Sequence, residues 1–140
     1  MTGKIALPVV AQGVYAALNA NATLMNSLTG GVLDHPLDPK LAPGVVLSGW
    51  TEKGEDTSGV QVRKLEFDVN IFSAYEGLAE ALTIAGLVDA TLHRGTLTLT
   101  GWTHDATFCT STDQLDPIDI EGRDLQHVVS HYTIDVTEVP

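Results

Sequence analysis

Apolar and polar residues change period several times along the chain, and each change marks an element. Near the N-terminus Val10, Val14, Ala17 and Leu18 recur at helical spacing. Pro8 suits the first turn of that helix, where its missing N–H would be unpaired anyway, and Asn19 and Asn21 end the pattern. A second helical piece, 22–28, stops at Gly30-Gly31. Residues 31–35 read as a short strand, 36–43 as a proline-containing loop, and 44–50 as a strand with β-branched Val45 and Val46. The polar, glycine-bearing run 51–59 predicts an exposed hairpin loop.

The clearest strand follows, with Leu65, Phe67, Val69 and Ile71 alternating against Lys64, Glu66, Asp68 and Asn70. Ser73 and Glu76 have the spacing of a capping box, in which hydroxyl and carboxylate satisfy each other's backbone N–H. The helix they open would bury Leu78, Ala81, Leu82, Ala85, Val88 and Leu92. Gly77 and Gly86 each weaken a helix by about 1 kcal/mol relative to Ala, so their presence there predicts close packing on a sheet. His93, Arg94 and Gly95 make a C-terminal end. Residues 96–104 alternate again, 105–124 read as a long irregular acidic loop, and 125–138 form the last strand. On that strand Val128, Tyr132, Ile134 and Val136 share one face, and His127, His131, Thr133 and Asp135 the other. The order α, short α, β, β, β, α, β, β predicts an α+β fold: an antiparallel (mixed) β-sheet packed by one long helix and an N-terminal helix. No repeat or linker divides residues 1–140, so one domain is expected.

Composition narrows the function classes. With 140 residues, 44% hydrophobic and 18% charged, the chain can bury a core and is too apolar for a disordered acidic tail. Seven Lys+Arg against eighteen Asp+Glu leave a formal charge of −11. That balance argues against a nucleic-acid binder that works by displacing counterions, and against docking on anionic lipid. No apolar run reaches the roughly 18–20 residues of a membrane span. The stretch 5–11, broken by Pro8, is too short for a signal peptide, so the chain is expected to stay in the cytoplasm. A single cysteine, Cys109, excludes an internal disulfide and a two-thiolate zinc site. No basic residue stands beside it in the sequence to activate it, so it reads as an inert, partly buried thiol.

Candidate chemistry is sparse. Neither a phosphate-binding G-x-x-x-x-G-K-[ST] loop nor a G-x-G-x-x-G turn is present, and Ser48 lacks the first glycine of a nucleophile elbow. His127 and His131 are four apart, but four strand residues span roughly 13 Å. One metal needs both nitrogens within about 2.0–2.1 Å of itself, so polar or intersubunit contacts suit the pair better. Asp113, Asp116, Asp119 and Glu121 offer oxygens to a cation, yet their spacing misses the calcium-loop pattern. A solvated or partner-facing loop is expected instead. These readings predict no enzyme, no cofactor and no metal site. A small metal-dependent hydrolase using the histidines and acidic loop is the alternative from another class.

Several short phrases, in order, carry a family likeness: Val14-Tyr15-Ala16-Ala17-Leu18, Leu28-Thr29-Gly30-Gly31-Val32, Asp34-His35-Pro36, Pro43 to Leu47, and Leu65 to Ser73. With the Ala/Leu helix ending at Leu92-His93 and two closing strands, the chain resembles the tail completion, or tail terminator, proteins of long-tailed bacteriophages and gene transfer agents. The likeness runs from about Val10 to Val136. One departure is the stretch 110–124, longer and more acidic than the family pattern. The resemblance implies a structural virion protein without catalytic residues. It implies a homo-oligomeric ring, usually a hexamer, at the head-proximal end of the tail tube, assembled in the host cytoplasm. Its implied partners are the tail tube protein and the head–tail connector or stopper protein, with DNA passing through without sequence-specific binding. Another neck or connector protein of the same particle is the near alternative. Rings use head-to-tail interfaces. The expected contact residues are Glu52, Lys53, Glu55 and Asp56 in one loop, Asp113, Asp116, Asp119 and Glu121 in the other, and His127 and His131 on the last strand.

Overall fold

A computed structural model describes residues 5–54 and 59–139. Two helices come first, α1 (Leu7–Ala20) and α2 (Ala22–Asn26), then a two-residue strand β1 (Val32–Leu33) and a 3-10 turn at Pro39–Leu41. Strands β2 (Gly44–Gly54) and β3 (Val62–Ser73), helix α3 (Ala79–Leu92), and strands β4 (Trp102–Ile120) and β5 (Arg123–Glu138) complete the chain. The five strands form one sheet in the order β1-β2-β3-β5-β4, antiparallel except for the β1–β2 pair. This is the expected α+β arrangement, and the parallel β1 makes the sheet mixed.

All three helices lie on one face of the sheet. Leu65, Phe67, Val69 and Ile71 of β3 and Val128, Tyr132, Ile134 and Val136 of β5 point into that layer and are buried. They meet Val10, Val14 and Leu18 of α1 and Ile84, Val88 and Leu92 of α3. Each fully buried Leu, Ile or Phe contributes about 1.5–3 kcal/mol, so this layer dominates the stability. Trp50, Phe67 and Tyr132 stack in sequence through it, at ring centroid distances of 4.3 and 5.6 Å. The Tyr132 hydroxyl donates to Asp89 of α3 at 3.0 Å. Burial first, then the neighbouring Asp89 carboxylate, pushes its pKa far up.

Polar side chains finish the helix ends. Ala6 at the start of α1 offers no cap. Instead the Glu52 carboxylate of β2 accepts from Ala6 N–H and Leu7 N–H at 2.9 and 2.8 Å, with Arg63 Nε 3.4 Å away. A carboxylate at a helix N-terminus also suits the helix dipole. Asn21 caps α2 through Leu24 N–H at 3.1 Å and ties it to α3 through Thr91 Oγ1 at 2.6 Å.

Several local expectations are corrected. The helix does not open at Ser73: α3 starts at Ala79, and Ser73 Oγ accepts from Tyr75 N–H at 3.1 Å and donates to Glu80 at 2.6 Å. Glu80, not Glu76, is the carboxylate that meets Ser73, through its hydroxyl, and Gly77, at φ +89°, sits in the approach and not in the helix. The buried stripe holds Ile84, while Leu82 is 50% exposed. Gly86 is exposed, and a Cβ there would meet no described residue within 4 Å, so the expected close packing on the sheet is not found. Residues 51–54 continue β2 rather than beginning a loop, and residues 55–58 lie outside the described residues. Residues 96–100 are not a strand; they form an extended connection, with Leu97 buried under the helices. The largest correction concerns 105–124, which is a long β-hairpin. Glu121 and Gly122, at φ +53° and +81°, form its two-residue turn between the paired Ile120 and Arg123. Its β4 half is wet over much of its length, so no dry face left an alternating signature in the sequence.

Candidate functional site: the open face of the sheet

The face without helices carries the polar half of each alternating strand. Register sets Asp68 of β3 beside His131 of β5, and His131 beside Ser111 of β4. His131 Nδ1 lies 2.5 Å from Asp68 Oδ1, and its Nε2 lies 3.4 Å from Asp113 Oδ2. One imidazole therefore fastens three strands together. Gly49, at φ +69° in a bulge of β2, leaves room for the Asp68 carboxylate, which a Cβ there would meet at 2.8 Å.

Toward the other end of the face, His127 stacks on Phe72 at 4.5 Å and bonds Asn70 Oδ1 at 3.0 Å. The Asn70 amide nitrogen is occupied with Val46 O at 3.2 Å and Ser48 Oγ at 2.7 Å, so its oxygen must accept and His127 Nε2 must donate. Burial lowers the His127 pKa, favouring the neutral ring. His104 is likewise lowered by burial, with Asp105 opposing that shift. Its Nδ1 accepts from Leu97 N–H at 3.2 Å and its Nε2 faces Thr107 Oγ1 at 2.6 Å, pinning the 95–101 connection to β4.

The expected contact residues are scattered across these surroundings. Glu52 is largely shielded and engaged with α1, while Lys53 is exposed at the end of β2; Glu55 and Asp56 lie outside the described residues. Asp113, Asp116, Asp119 and Glu121 are all exposed along the β4–β5 hairpin. His127 and His131 share a face but have different partners. Among the described residues no group of three or more His, Cys, Asp or Glu is placed to hold a metal ion.

Sequence reasoning missed a groove of about 400 Å³ on this face. The far end of the hairpin contributes Ile118, Ile120 and Leu125, which line it together with Leu37, Val46 and Phe72. Leu37 and Leu125 are buried here, outside the main core. The signal available in the sequence was apolar Ile118 and Ile120 on one side of Glu121-Gly122 and Leu125 on the other.

Charge is divided by layer. α1 and α2 contain no charged residue, and α3 contains only Glu80 and Asp89, each accepting a hydrogen bond from within the fold. The remaining described carboxylates lie on the strands, the hairpin and the loops.

The sequence pattern of the family described as Tail completion protein gp17 matches residues 12–136. The chain belongs to that family. It is a structural protein of a phage-like tail, and its fold is found in such particles. A chain of the virion of a native gene transfer agent particle superposes with a TM-score of 0.81 at 17% identity, covering 96% of this chain and 99% of that one. A second solved chain, 16% identical, superposes at 0.50 with 94% and 96% covered. At these identities the likeness is one of fold. No curated protein matches the chain. In this tail completion protein His93, His104, His127 and His131 act as fasteners between strands and loops, each held by neighbours of its own.

Proposed function

We propose that this tail completion protein forms a ring, a hexamer by family resemblance, at the head-proximal end of a tail tube. There it ends tube growth and joins the tail to the head connector, and DNA passes through its lumen. The observation that carries this reading is the division of charge between the two layers, taken with membership of the tail completion family. A conduit for DNA needs a wall that repels phosphate, so that the polymer slides without being held. Glu66, Asp68, Asp113 and Asp135 on the open face suit such a wall. The helical layer, whose only charged residues are Glu80 and Asp89, suits contact with protein.

The test is electron microscopy of particles made without the gene. Heads with unjoined tails, or tails of uncontrolled length, are expected. Normal particles would overturn the reading.

A further inference from the structure

Helix α3 is apolar on the side that faces away from the sheet as well as on the side that faces it. Ala79, Leu82, Thr83, Gly86 and Ala90 form its exposed stripe. A helix with apolar residues on both sides is ordinarily covered on both sides, and no described residue covers this stripe. Gly86 points the same way. A Cβ there would meet nothing within 4 Å, so no contact inside the subunit requires glycine, although glycine weakens a helix. At Gly13, by contrast, a Cβ would stand 2.7 Å from Leu99 Cδ2.

The apolar groove between the hairpin end and β2 lies on the opposite face of the sheet, where α3 of the same subunit cannot reach it. Complementary charges mark the two surfaces. Asp34 stands at the groove and Arg94 just past the end of α3; both are exposed, and neither has an ion pair among the described residues.

We propose that α3 of one subunit docks in the open-face groove of the next, with Leu82 entering the groove, Gly86 allowing close approach and Arg94 facing Asp34. The occupant is a second copy of this chain because both halves of the contact are present on it. At −11 per chain, copies meet at least cost through surfaces that present no free carboxylate to the partner's acidic hairpin. α3 is such a surface, since Glu80 and Asp89 are already bonded within the subunit. A patch and a groove on opposite faces make a head-to-tail contact, which closes into a ring or runs on as a filament. This interface rests on the ring reading and supplies its subunit contact.

Sedimentation velocity of the full chain up to millimolar concentration tests it. The unaltered chain is expected to associate. Gly86→Gln should melt a few degrees higher, because the helix is improved, and yet remain monomeric. Asp34→Arg and Arg94→Asp should each raise the association midpoint roughly tenfold, as like-charge contacts do, and the double variant should restore it. A Gly86→Gln chain that associates normally, a charge swap that restores nothing, or an unaltered chain monomeric at every concentration overturns the interface. Failure of the ring reading itself would appear separately, as normal particles in the absence of the gene.

Discussion

His127 and His104 are the residues whose protonation the fold resists most clearly. Burial lowers both below the ordinary 6.5. The unfolded chain therefore takes up protons first as pH falls. The stability each neutral ring contributes is complete above pH 6.5 and is lost as pH drops through its lower, folded value. Melting temperature is expected to fall between pH 7 and pH 5. His127→Gln, which keeps a donor toward Asn70, should shrink that acid loss; an unchanged pH profile would show that His127 does not titrate with folding. Neither role was legible in the sequence, where His127 and His131 were only a spacing. Asn70, which fixes the His127 tautomer, lies 57 residues away along the chain.

At the scale of elements, alternating strands were readable wherever one face is dry. β3 and β5 follow the period of two because the helical layer covers one side of each. The β4 half of the hairpin lacks that cover and its strand character was hidden. The two faces of α3 were hard to separate because both are apolar, and Leu82 was placed inward for that reason. Its exposure reverses the expected effect of a charge there. Leu82→Asp in the isolated subunit should fold, with a stability change within about 0.5 kcal/mol. Ile84→Asp, which buries an unpaired carboxylate, should yield no soluble protein. Denaturant unfolding of the first and a solubility assay of the second check both. A collapse of Leu82→Asp would return that residue to the core.

For the whole molecule, the net charge becomes informative once it has a location. Asp116 and Asp119 stand exposed near the hairpin end, and neither has an ion pair among the described residues. Asp116→Lys with Asp119→Lys is expected to leave the melting temperature nearly unchanged and to reduce the joining of tails to heads. Unchanged joining in a complementation assay would mean that the hairpin meets only water. The sequence by itself determined the order of elements, the α+β class, the acidic balance and the family likeness, because periodicity, turn residues and composition are local properties. Only the tertiary structure decided that Glu52 caps α1, that His131 joins three strands, that the hairpin end closes a groove, and that Glu80 and Asp89 on α3 are bonded within the fold. Each of these depends on residues that folding brings together from distant parts of the chain, and no local pattern records such a meeting.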